Sequence, residues 1–237
     1  MNGQWPRVRV WLLSALCLVL SAQTWADARQ ERIARIIELS GLSGLSVQAR
    51  EQTQKALTQS QASLGKQNEV VAAIRPVFAP KNLNSKLAQS LQAFSDQALL
   101  AIEQSLSAPQ LQEVREKEQQ ALSELKSRDY LSYQVQLQQF PPAELRRAKL
   151  AELDQAMHFT LILKQARATL YALLMQPLIS WQPDLDWPAK LERDTQTFLF
   201  YVHRSTSPQD LDALIALYRQ PDLQHWLNQV EQLLAES

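Results

Sequence analysis

The chain has 237 residues, 24 basic and 24 acidic side chains, four glycines and one cysteine, and 46% of it is hydrophobic. A net charge near zero argues against a nucleic-acid partner, which would need a basic surface to neutralise phosphates. One cysteine cannot form an internal disulfide, so the fold must rest on burial, for which the chain is long enough.

The first thirty residues, MNGQWPRVRVWLLSALCLVLSAQTWADARQ, place Arg7 and Arg9 before an apolar run from Val10 to Leu20 that ends in small residues. This is the layout of a secretory signal peptide. The run is far shorter than the ~20 residues of a permanent membrane helix, so cleavage is expected rather than anchoring. Thr24 and Ala26 suit the small positions before a cut. The expected product is a signal peptide over 1–26 and a periplasmic chain starting near Asp27. Cys17 raises the alternative of a lipidated cysteine, against which bulky Leu16 stands in the preceding position. Cleavage after Ala26 removes Cys17, Arg7 and Arg9, leaving no thiol and a slight acidic excess.

In the rest of the chain Gly41, Gly44 and Gly65 all fall early, and no residue beyond 65 offers a positive φ without steric cost. Leu, Ala, Gln, Glu and Lys dominate, and all are good helix formers. The expected fold is all-α, a multi-helix bundle over 27–237 with two halves, 27–140 and 141–237.

The early stretch RIIELSGLSGLS reads as a helix running to Gly41. YLSYQVQLQQF alternates like a strand at Tyr133, Val135 and Leu137, yet Tyr130, Tyr133, Leu137 and Phe140 also fit one helical face, and the surroundings favour helix. Pro141 and Pro142 end that helix and let the next begin. MHFTLIL, Met157 to Leu163, is apolar almost all round and is expected within that next helix as the most buried element. Leu211, Leu214, Ile215 and Tyr218 form one apolar face, and Leu223, Trp226, Leu227, Val230, Leu233 and Leu234 another. SPQDLDALIALYRQPDL, Ser207 to Leu223, therefore reads as a capped helix begun by Pro208 and a second begun by Pro221, with Tyr218 as its polar handle.

That hairpin has a faint counterpart 100 residues earlier. Asp96–Leu122 lies over Gln196–Asp222 without a gap, pairing Leu99 with Leu199, Ser105 with Ser205, Ser107 with Ser207, Leu111 with Leu211 and Gln120 with Gln220. Ser107 with Gln110 has the spacing of a capping box, and Ser207 is followed by Pro208 and Asp210. The expectation is a duplicated helical hairpin; amphipathic helices that match by chance are the alternative.

The signal segment, Leu39-Ser40-Gly41 and the closing Leu211, Leu214, Leu217, Tyr218 and Pro221 together resemble an uncharacterised family of exported bacterial helical proteins. Its closing hairpin reads roughly Glu-Leu-x-x-Leu-x-x-Phe-Tyr-x-Ser-Pro-x-Gly. Leu217, Gln220 and Leu223 depart from that pattern at the aromatic, serine and glycine positions. The resemblance implies export and a helical fold and brings no known activity.

Catalytic motifs are scarce. His158, His203 and His225 form no His-x-x-x-His or Glu-x-x-His spacing, no glycine loop is built to cradle phosphate, and no nucleophile elbow is present. Neither a metal nor a cofactor is expected. Asp154, four residues before His158, could steer it as a general base, but a core histidine satisfied by a neighbour is the commoner case. WQPDLDWP offers Trp181, Asp184 and Trp187 as a partner or ligand surface, with Tyr218 as a fourth candidate. The competing reading has both indoles closing the bundle end, and FLFYVHR, Phe198 to Arg204, is read as core before groove.

Three functional expectations follow, in this order. The first is a non-catalytic protein binding an envelope partner. The second is a carrier of an apolar small molecule in a cavity between helices, with MHFTLIL and FLFYVHR as its lining. The third is a glycan hydrolase using Asp184 and Asp186.

Overall fold

The computed structural model describes residues 27–236. The expected signal peptide, with Cys17, lies outside the described residues. Within them the chain is helical and carries no strand. Helix α1 covers 27–40 and passes through a short 3-10 turn, Leu42–Gly44, into α2, Leu45–Ser60. Next come α3, Leu64–Phe78; α4, Pro80–Leu91; α5, Asp96–Leu106; α6, Pro109–Glu124; and α7, Arg128–Gln139. The second half contributes α8, Glu144–Met157; α9, Phe159–Met175; α10, Trp187–Val202; α11, Pro208–Tyr218; and α12, Pro221–Ala235.

Local chemistry fixes many of these starts. Prolines stand in the first turns of α4, α6, α10, α11 and α12, where the missing N–H costs nothing. Serine hydroxyls accept from the free amides of α5, α7 and α11: Ser95 from Ala98 at 3.1 Å, Ser127 from Tyr130 at 3.1 Å and Ser207 from Asp210 at 3.1 Å. Gln220 does the same for α12, accepting from Leu223 N–H at 2.7 Å. The expected hairpin of α11 and α12 is therefore present with its proline starts.

The hairpin 100 residues earlier shares the plan of helix, corner, helix but not the cap. Ser107 is not the N-cap of α6; its hydroxyl donates back to the Glu103 carbonyl at 2.7 Å and closes α5. The cap position falls on Ala108 because Pro109 lies one residue later, relative to Ser107, than Pro208 lies relative to Ser207.

MHFTLIL is not inside one helix. The chain breaks at His158, which takes a left-handed φ of 54° and separates α8 from α9. No glycine was available there, so a side chain that tolerates this conformation imperfectly fills it. The Asp154 carboxylate stabilises the break by accepting the Thr160 amide at 2.9 Å, as an N-cap side chain would. Gly41 makes the equivalent left-handed turn after α1, with φ 71°.

Helix α9 is central, packing against α2, α3, α8, α10 and α12. Its buried side chains include Ile162, Leu163, Leu170 and Leu174, while Leu161 stands out to solvent. Helices α8 and α11 lie along each other, α12 reaches back across α4 and α5, and α10 packs on α6 and α7. The two halves thus share one continuous apolar core. The expected stripe on α12 faces it, with Leu223, Trp226, Val230 and Leu234 all fully buried and Leu233 at its edge. FLFYVHR is core: Phe198 to His203 are buried without a gap. On α7 Tyr130 is buried and Tyr133 and Leu137 pack at the core's edge, but Phe140 is 72% exposed. It leaves the helical path as the chain approaches Pro141, which removes it from the face that the helical spacing predicts.

Candidate functional site

Between the two halves lies a cavity of about 360 Å³, within the ~300–1,000 Å³ range of small-molecule sites. Its floor is buried and apolar: Leu45, Leu106, Ile162, Phe198, Leu223 and Trp226. Its mouth is formed by exposed residues, Glu38, Gly41, Gly44, Gln119 and Leu122. Met157 and Phe159, on either side of the His158 break, contribute to the wall. Phe159 and Phe198 approach with ring centroids 6.3 Å apart.

Among the polar side chains of the lining, three come together from α6 and α11. Arg115 and Glu118 are three residues apart and on one face of α6, and Tyr218 comes from the end of α11. Each is half-buried. The Arg115 guanidinium donates to the Leu106 carbonyl, which orients it from the end of α5. Tyr218 is held through its backbone: Gln224 Nε2 donates to the Tyr218 carbonyl at 2.8 Å and to the Ala156 carbonyl at 2.6 Å. Gln224 Oε1 lies 3.2 Å from His158 Nε2, so one amide ties the α11–α12 corner to the break before α9. Neither the Glu118 carboxyl nor the Tyr218 phenol hydrogen-bonds to any of the described residues.

Burial dominates the electrostatics. It pushes the Glu118 carboxyl up to about 7, against the opposing pull of Arg115. It also raises the Tyr218 phenol, with help from the Glu118 charge. Burial lowers Arg115 while Tyr218 and Glu118 act the other way, and a guanidinium keeps its charge at neutral pH. At pH 7 the cavity therefore presents a fixed cation, a phenol O–H and a carboxyl close to its midpoint.

Of the four residues named as a partner or ligand surface, Tyr218 alone lies here, while MHFTLIL contributes Met157, Phe159, Ile162 and Leu163 to the lining and FLFYVHR contributes Phe198. Trp181 is a core residue, not a surface one. It packs edge-on to Tyr171 at 5.5 Å, and its indole N–H donates to Gln59 Oε1 at 3.1 Å. Trp187 also meets Tyr171 edge-on, at 5.2 Å, and is half-buried. Asp184 and Asp186 are exposed, and Arg193 lies 3.8 Å from Asp186. The Trp181 side chain is thus turned inward, away from the solvent that both carboxylates face.

The histidines serve the packing. His158 turns to Gln224 and, at 3.5 Å, to Glu231, while Asp154 is engaged with Thr160, so the Asp154–His158 pairing that would steer a general base is not made. His203 is fully buried with Nδ1 3.3 Å from Thr206 Oγ1, and burial together with Lys117 and Arg146 pushes it down to about 4. His225 lies against the Phe94 ring at 5.2 Å.

A hollow of about 470 Å³ beside His158 is more open and lined mainly by polar side chains, and a groove of about 280 Å³ runs between α2 and α3. Unlike these two, the cavity between the halves combines a buried apolar floor with Arg115, Glu118 and Tyr218. Arg115 and Glu118 were not singled out in the sequence, where they lie in the charged run EVREKEQQ. Their partner Tyr218 lies a hundred residues away, so only the fold brings them together.

Comparisons with family models, curated proteins and solved structures give no match. Among the described residues, no helix is long and apolar enough to cross a membrane, and no group of three or more His, Cys, Asp or Glu side chains is placed to hold a metal ion.

Proposed function

We propose that this protein is an exported helical carrier that holds an apolar small molecule in the cavity between its two halves. The cavity itself carries the reading: about 360 Å³, with a floor of buried Leu, Ile, Phe and Trp side chains and an open mouth. A site of this kind gains affinity by removing apolar ligand surface from water, at roughly 25 cal/mol per Å². A few converging polar groups then fix orientation. Export enters through the layout of residues 1–26.

An envelope-protein partner is the competing reading, and it loses its main anchor because Trp181 faces the core. The hydrolase reading loses the same residue beside Asp184 and Asp186. Native mass spectrometry of gently purified protein tests the carrier reading. The expected spectrum contains a second species, heavier by a small molecule, that organic extraction removes. Bare polypeptide alone, before and after incubation with an envelope lipid extract, would overturn it.

A further inference from the structure

We propose that the cavity takes a single-chain amphiphile with a carboxylate head, the head seated between Arg115 and Tyr218 and the tail lying on Leu106, Phe198 and Trp226. This rests on the carrier reading and narrows it to one ligand class. The guanidinium offers several N–H donors in a fork that matches a carboxylate, and its tie to the Leu106 carbonyl uses only part of that capacity. The Tyr218 hydroxyl is a further donor without a partner among the described residues.

Glu118 decides how the site responds to pH. Ionised, it opposes a carboxylate head; protonated, it becomes a third donor and leaves Arg115 as the only fixed charge beside it. The other titratable side chains lining the cavity are Arg115 on the same helix, Tyr218 from α11 and Glu38 from α1 at the mouth. Helices α2, α5, α8, α9, α10 and α12 add only apolar and amide side chains to the lining. Carboxylate binding therefore takes up a proton at Glu118. A cationic head meets a permanent positive charge at Arg115, and a doubly charged phosphate meets the full cost of Glu118, so neither fits as well.

Three twelve-carbon probes, dodecanoate, dodecanol and dodecylammonium, separate the outcomes when used below their micellar concentrations. Each is titrated against the full chain preloaded with a neutral naphthylamine fluorophore. Dodecanoate is expected to displace the fluorophore most strongly, about tenfold more tightly at pH 6 than at pH 8, as one proton bound at a group titrating near 7 requires. Glu118→Gln should keep the tight binding and abolish the pH dependence. Tyr218→Phe and Arg115→Gln should each weaken dodecanoate about tenfold and leave dodecanol unchanged. Dodecanol or dodecylammonium binding as tightly as dodecanoate, or a pH dependence that survives Glu118→Gln, would overturn the carboxylate head while leaving the carrier reading intact. Failure of the fluorophore and of all three probes to bind would overturn both.

Discussion

The Trp226 indole N–H donates to Ser90 Oγ at 3.0 Å, pinning a ring of the cavity floor to α4. The ring itself is fully buried, so its one polar atom depends on that hydroxyl. Ser90→Ala leaves the N–H without this partner and should cost about 1–3 kcal/mol. Urea unfolding followed by circular dichroism is expected to show a lower midpoint with an unchanged slope.

Glu118 should make the protein less stable as the solution becomes alkaline. Its carboxyl titrates near 7 in the fold against an ordinary 4.5, so between those values the folded chain binds more protons than the unfolded one. Its contribution is fully present below pH 4.5 and is lost as pH rises through 7. Glu118→Gln is expected to raise stability at pH 8 by on the order of 2 kcal/mol and to change little at pH 4. Thermal melts of both proteins across that range provide the check.

His203 acts in the opposite direction. It is buried neutral and titrates near 4 against an ordinary 6.5, so the unfolded chain binds the extra proton in that window. Its stabilisation is present above pH 6.5 and is lost as pH falls toward 4. His203→Gln should flatten the acid limb of the stability profile by roughly 2 kcal/mol. Between pH 4.5 and 6.5 the slopes from Glu118 and His203 oppose each other, so each variant exposes the other group's contribution.

The two ends of WQPDLDWP should behave differently. Trp181→Ala removes a buried ring packed on Tyr171 and hydrogen-bonded to Gln59, and is expected to cost about 3–5 kcal/mol. Asp184→Asn changes an exposed side chain and should stay within about 0.5 kcal/mol of the parent. Chemical denaturation of the two variants distinguishes core from surface at this connector.

These residues also show what was legible before the fold was known. The starts of α11 and α12 are legible, because Pro208 and Pro221 fix φ at each start and Ser207 supplies the first cap; the Gln220 cap of α12 and the place of Tyr218 in a cavity wall are not. The apolar stripe of α12 was equally legible, since the helical period states which side chains share a face. The break at His158 was not. It carries neither glycine nor proline, and what holds it is a set of contacts from Asp154 and the distant Gln224. Ser107 misled for a related reason: cap spacing says which hydroxyl can reach an amide, while the position of Pro109 decides where the helix starts. MHFTLIL and FLFYVHR do supply part of the apolar lining, through Met157, Phe159, Ile162, Leu163 and Phe198; the meeting of Arg115 and Glu118 on α6 with Tyr218 on α11 is not legible, because periodicity within one segment carries no information about which faces meet.

If the cavity binds an apolar molecule, closing its mouth must weaken that binding. Gly44 lines the mouth with an ordinary helical φ of −60°, and a Cβ built there meets nothing within 4 Å. Gly44→Phe adds a bulky ring at a position that lines the mouth, with room for its Cβ, and is expected to obstruct the opening without disturbing the core. Fluorescence titration with a neutral naphthylamine probe should show saturable, single-site binding to the parent protein. Binding should weaken at least about tenfold in Gly44→Phe, with an unchanged thermal midpoint, as the loss of apolar burial at one site implies. Equal binding to both proteins, or no saturable binding to the parent, would exclude the cavity as a binding site.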